Sequence, residues 1–387
     1  MTSKLFILLI MTISFVTNAS VWNSTNTWNE EWEIKYREWI KNDLNPEIFI
    51  DGRYKGISTD CADAVYTIRA IFSYENSLPF HFRNPNRYGK KFSEKIHQFN
   101  RYSRQNDLRF RKFLVWMHGL LSTHSIPYDT YSPKLTREHV NSGTLFLLFN
   151  SHVYTVKELE SHGLPILYSS TVPKKVRSLE IDVQLGMPDE DEYRFGLSNF
   201  RNWRWPEHLF YSSSRLKQIN ISSMEQYEIH EKIEEDSEDF ERVISKILSI
   251  GGEEEKLEDK LNRYINELVK SIKERVEVVQ AGYNYYVSVG RRNLTSREHY
   301  IHSTPSRDER LFKSASKISE LNQIFLEEEG KDFVKEILTP IKILIKSGLN
   351  LSAYDIYYGI LENGYDFSSN PQDTIEERWG VQNEQIN

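Results

Sequence analysis

Apolar residues first recur at helical spacing. In WNEEWEIKYREWI, Trp28, Trp32, Tyr36 and Trp39 predict an opening amphipathic helix whose aromatic face packs on the domain behind it. Ser58 to Asp60 then supply helix-capping side chains ahead of CADAVYTIRAIF. Cys61, Val65, Ile68 and Phe72 fall at i, i+4, i+7 and i+11, one face of that helix, and Ser77-Leu78-Pro79 ends it. A further helix is predicted over Phe110 to Leu121, with Phe110, Phe113, Leu114, Met117 and Leu121 inward. After the turn Asn141-Ser142-Gly143 the pattern shifts to strands: Thr144–Asn150, Val153–Val156, Leu164–Ser169 and Val176–Val183.

Beyond about Ser212 the helical period returns. Ser222 and Glu225 form a capping-box pattern, and Ile233, Phe240, Val243, Ile244 and Ile247 make an apolar stripe that Gly251-Gly252 breaks. Leu257, Leu261, Tyr264, Leu268, Ile272 and Val276 make a second stripe. Ser306 and Glu309 form another capping box, leading into Leu311, Ala315, Ile318, Leu321 and Phe325; helices near Phe333–Ser347 and Ala353–Asn363 follow. The fold class expected is α+β: N-terminal helices plus an antiparallel sheet over 20–212, then a mostly helical domain over 213–387.

The first nineteen residues read as a secretory signal peptide. Lys4 precedes an apolar run, Leu5 to Val16, and small residues follow it. The run is shorter than the ~20 residues a membrane span needs, and no later segment is apolar enough, so a secreted or periplasmic protein without an integral membrane segment is expected. A net charge of −7 argues against nucleic acid as a partner. Charge is nonetheless segregated. Residues 83–112 hold ten Lys/Arg against Glu94 and Asp107, and residues 225–260 hold fourteen acids against five Lys/Arg. His299 and His302 stand at i, i+3 without an HExxH motif, so no metal or other cofactor is expected.

In a chain expected to be exported, one cysteine cannot form an internal disulfide, so Cys61 reads as a free thiol. The start of a helix favours a thiolate, and a thiolate nucleophile needs a base. His152, between two strand-like runs, is the candidate base. The plainer alternatives are a small buried hydrophobe and an ordinary strand histidine.

These residues resemble the NlpC-type cell-wall cysteine peptidases, which have a papain-like core. GRYKGISTDCADAVYTI matches the nucleophile segment through Tyr54, Gly56, Asp60 and Cys61. NSGTLFLLFNSHVYTV matches the segment in which a histidine opens a strand, with His152 in the base position. The resemblance spans about residues 45–185 and implies peptide or peptidoglycan as substrate. Cys61 would attack an amide carbonyl, His152 would protonate the leaving amine and then activate water, and the Cys61 N–H with the Tyr54 hydroxyl would hold the oxyanion, Asp60 supporting the site. LPILYSS offers Tyr168 or Ser169 as the residue that orients the histidine, where the family has His, Asn or Gln; Asp182 is a fallback. Asp-Cys-x-Asp before an Arg-containing helix also resembles bacterial transglutaminase-like proteins. The basic insert at 83–112, with Arg83, Arg87, Lys90 and Lys91, is a candidate border of a groove for an anionic polymer. A rival expectation is a degenerate, non-catalytic exported binding protein whose helical domain engages a protein partner.

Overall fold

The computed structural model describes residues 20–84, 86, 90–183, 198–229, 240–362 and 367–381. The expected signal peptide, Arg87 and Ile233 therefore lie outside the described residues. The chain is α+β and divides into two compact units. The first comprises Met1–Lys157, Tyr168–Glu180 and Pro188–His230; the second comprises Glu158–Leu167, Ile181–Met187 and Glu231–Asn387. The main division thus falls after residue 230, not after 212. Residues beyond 212 stay with the first unit because Tyr227 Oη meets Ser132 Oγ at 2.6 Å and Gln226 pairs with the backbone of Phe200 in both directions.

In the first unit, Asn29 caps α1 (Glu30–Glu38) by accepting from the Trp32 N–H. Trp28 precedes the helix but is buried with Tyr36. The central element is α2 (Cys61–Glu75), capped by a reciprocal Asp60/Asp63 box. Thirteen of its fifteen residues are buried, so it is enclosed on every side rather than along the one expected face. The basic segment forms a hairpin, β1 (His81–Asn84) antiparallel to β2 (Lys90–Ser93), followed by α3 (Leu108–His118). Phe113 on α3 is fully buried and its ring meets those of Trp22, Phe80, Phe82, Phe99 and Trp116.

The sheet strands are β3 (Thr130–Tyr131), β4 (Leu145–Leu148), β5 (His152–Leu159), β6 (Pro165–Ser169), β7 (Glu180–Asp182) and β8 (Asn199–Trp203), in the order β3-β8-β4-β5-β6-β7. The pairs β3–β8, β4–β8 and β4–β5 are antiparallel. Only Glu180–Asp182 of the expected Val176–Val183 strand is extended in the sheet, and β8 was not anticipated.

In the second unit, α4 (Phe240–Leu248) leads to α5 (Leu257–Ser288) and α6 (Pro305–Glu329). The buried stripe of α5, including Leu261, Leu268, Ile272 and Val279, packs with Leu311, Ala315, Ile318 and Phe325 of α6. One expected helix is corrected. Phe333–Ser347 is helical only over α7 (Phe333–Leu338); β9 (Lys342–Lys346) then pairs antiparallel with β10 (Leu349–Ser352) ahead of α8 (Ala353–Glu362). KILIK alternates with period 2, and Gly348 takes the left-handed φ of +81° that the hairpin turn needs.

Removing the Phe113 ring by Phe113→Ala should lower the unfolding free energy by about 3–5 kcal/mol, whereas Val115→Ala, two residues along but 65% exposed, should change it by less than about 0.5 kcal/mol. Denaturant titration of the two variants checks this.

Candidate functional site at the start of the central helix

The backbone around Cys61 is held from both sides of the helix start. Thr59 bridges to Lys175 through paired backbone hydrogen bonds, and its hydroxyl lies 3.0 Å from that of Ser170. Asp60 accepts from the Asp63 N–H at 3.0 Å, so its carboxylate is spent as a helix cap. The Cys61 side chain enters the same apolar core as Val65, Leu145, Leu147 and Val153, with 8% of its surface exposed.

Electrostatics at the thiol oppose ionisation. Burial, and then the neighbouring Asp60 charge, push Cys61 up to about 12. The backbone N–H groups of Ala62 and Val153 pull the other way. No histidine is among the main influences on it.

His152 opens β5 as expected, but the strand alternation turns it away. Leu145, Leu147 and Val153 share the face packed against α2. His152 sits 4.4 Å, ring to ring, from Tyr154, and Tyr154 meets Phe146, its cross-strand partner, at 6.2 Å; these residues occupy the opposite face. Cys61 thus touches the backbone of the residue after His152, while the imidazole is on the other side of the sheet.

Other expected site residues are also placed elsewhere. The Tyr54 hydroxyl donates to Glu75 at 2.9 Å, at the C-terminal end of α2. Fourteen residues of helix separate that end from Cys61, about 20 Å at 1.5 Å per residue, so Tyr54 cannot support an oxyanion at Cys61. Tyr168 is buried and donates to the Leu44 carbonyl at 3.3 Å, a core role. Ser169 is buried as well. Asp182 belongs to the second unit, where it pairs with Lys270.

The basic insert is largely committed to structure. Both the N–H and the guanidinium of Arg83 meet the Asp129 carboxylate. Arg109 donates to the carbonyls of Tyr102, Asn100 and Ser20, and Arg111 to those of Lys55 and Arg53. Lys91 lies 5.2 Å from the exposed Phe210 ring, and Lys90 5.4 Å from Phe92. Among the described residues, these two lysines of the proposed groove stand over aromatic rings rather than in ion pairs.

A polar cluster that the sequence did not reveal lies two residues along α2. Asp63, with 1% of its side chain exposed, meets Lys174 Nζ at 2.6 Å and His118 Nδ1 at 3.7 Å. His118 Nε2 meets Thr67 Oγ1 at 2.7 Å. Burial and then the Asp60 charge raise Asp63 to about 7, against which Lys174 works; burial and Lys174 lower His118 to about 3. Burial therefore favours the neutral imidazole of His118 at physiological pH. The i, i+4 spacing of Asp63 and Thr67 puts them on one side of the helix, but nothing in the sequence ties that side to His118 or Lys174.

Because Asp63 sits above its ordinary value of 3.8, the folded state keeps a proton that the unfolded chain releases. The stability this lends is complete below 3.8 and is lost as pH rises through about 7. Asp63→Asn should therefore lose less stability than the wild type between pH 5 and pH 8 in urea titrations. Parallel losses in both proteins would exclude Asp63 as the cause.

Among the described residues, no helix is long and apolar enough to cross a membrane, and no group of three or more His, Cys, Asp or Glu is placed to hold a metal ion. Comparison of the chain with family models, curated proteins and solved structures finds no match.

Proposed function

We propose that the chain is an exported, papain-like protein that keeps the nucleophile position of the cell-wall cysteine peptidases without their chemistry, and that it acts by binding. The observation that carries this reading is the state of Cys61: buried, with its thiol near 12 and the expected base on the opposite face of the sheet. The thiolate is the reactive form, and a thiol held this high is almost entirely protonated at pH 7. Its packing with Val65, Leu147 and Val153 suits a small hydrophobe of the core.

A second reading has one observation in its favour. Two backbone N–H groups, from Ala62 and Val153, converge on the sulfur, the type of donor pair that stabilises a developing anion. In that reading the protein hydrolyses amide bonds in cell-wall peptides, with peptidoglycan as substrate and Cys61 as nucleophile.

Iodoacetamide labelling of the native protein near pH 7 distinguishes the two. Binding without hydrolysis predicts that Cys61 is alkylated only after unfolding. It also predicts that purified peptidoglycan yields the same muropeptides, by mass spectrometry, with wild type and Cys61→Ala. Rapid native labelling together with products lost in Cys61→Ala would overturn it in favour of the hydrolase.

A further inference from the structure

The second unit contains a cavity of about 690 Å³, well within the range of small-ligand sites. One wall is apolar: Leu164, Pro165, Ile166, Ile181 and Val183. The facing wall is the polar side of α5, where Asp259, Asn262, Arg263, Asn266, Glu267 and Lys270 recur at helical spacing. The other side of the same helix is the buried stripe of the core. Arg263 and Lys270 of this stripe donate to the carbonyls of Val183 and Ile181, residues that also line the cavity.

The cations of that wall are already engaged. Arg263 is clamped by Glu255 and Glu241, and it also donates to the Val183 carbonyl. Lys270 is held by Asp182. Lys256 adds one exposed ammonium at the rim. Against these, Glu253, Glu254, Asp259 and Glu267 also line the cavity, so its electrostatic character is negative. Glu267 is the most enclosed of them. Lys270 Nζ stands 4.0 Å from it. Burial, opposed by Lys270 and Arg310 and reinforced by Asp182 and Glu274, raises its carboxyl to about 7. The Lys270 ammonium is thus shared by three carboxylates, Asp182, Glu267 and Glu274, beside a space with an apolar wall.

We propose that this cavity binds a ligand ending in an alkyl ammonium, its methylenes lying on the Ile166–Ile181–Val183 wall and its charge directed to Glu267. A free linear diamine and a lysine side chain of a peptide both carry that group. This site belongs to the second unit and does not involve Cys61.

The test is calorimetric titration of the full chain with three probes: 1,5-diaminopentane, a short neutral peptide containing one lysine, and pentane-1,5-diol. Binding of at least one amine, with no binding of the diol, is expected. Preference for the diamine assigns a small-molecule ligand, and preference for the peptide assigns a lysine side chain. Glu267→Gln preserves shape and should weaken amine binding about tenfold, the loss of one charged hydrogen bond. Ile181→Trp, at a position 47% exposed, should obstruct the apolar wall and weaken binding without disturbing the core. Equal binding of diol and amine, failure of both amines to bind at millimolar concentration, or unchanged affinity in Glu267→Gln would each overturn the proposal.

Discussion

The first unit is organised by the enclosure of α2. A helix buried on all sides must satisfy every polar side chain it carries, because an unpaired buried group costs about 1–3 kcal/mol and a buried charge costs more. The sequence of α2 includes Asp63, Tyr66, Thr67, Arg69 and Ser73, all buried. Each draws in a partner. Asp63 takes Lys174, Thr67 takes His118 of α3, and Tyr66 donates to Asp129 at 2.7 Å. Arg69 is held by Glu33 of α1 at 2.8 and 3.0 Å and lies 3.5 Å from the Trp28 ring. Ser73 donates back to the Arg69 carbonyl, and Asp129 then fixes Arg83 of β1. Helices and hairpin are thus positioned by the hydrogen-bonding demands of one element, in addition to the apolar area they bury.

That enclosure explains what could be read from the sequence around the candidate site. The start of α2 was legible because capping chemistry is local: Asp60 and Asp63 are three residues apart and satisfy each other's backbone. The position of His152 at the opening of a strand was legible for the same reason. Its direction was not. Strand alternation reveals a buried face only where one side is apolar and the other polar, and LFLL paired with HVYT is apolar on both sides, Leu147 and Val153 on one, Phe146 and Tyr154 on the other. Which of two apolar faces receives α2 is a tertiary choice. The position of Tyr54 was hidden differently: it precedes Cys61 by only seven residues, yet the intervening loop carries it to the far end of the helix. The β9–β10 hairpin, by contrast, was visible in the alternation of KILIK and in the Gly348 turn, and an over-extended helical stripe obscured it.

What a basic stretch does is decided by the partners of its cations, not by their number. The excess of Lys and Arg over 83–112 suggested an exposed field for a polyanion, but an arginine bound to carbonyl oxygens or to an enclosed carboxylate is a structural tie first. Arg109 ties the Ser20 carbonyl to those of Asn100 and Tyr102, a task suited to a planar group with five donors. On α5 the same reasoning acts in the opposite sense. Its cations at the cavity are each shared by more than one carboxylate, Arg263 by Glu241 and Glu255 and Lys270 by Asp182, Glu267 and Glu274.

The placement of Cys61 also shows how far a helix N-terminus can go in activating a thiol. The dipole and free N–H groups of a helix start contribute up to about 2 kcal/mol in favourable, partly buried geometry. Moving a thiol from 9.0 to about 12 corresponds to about 4 kcal/mol in the other direction. The deficit comes from desolvation and from Asp60, whose negative charge is there because the helix needs a cap. The residue that starts the helix therefore works against the ionisation that the helix start would otherwise favour. In this setting a thiolate requires a cation near the sulfur, which is the service an imidazolium on the same face would perform. With His152 turned to the other face and His118 neutral beside Thr67, that cation has no source among the described histidines of this neighbourhood, and the same cysteine that fits the core as a hydrophobe is left without the charge balance of a nucleophile.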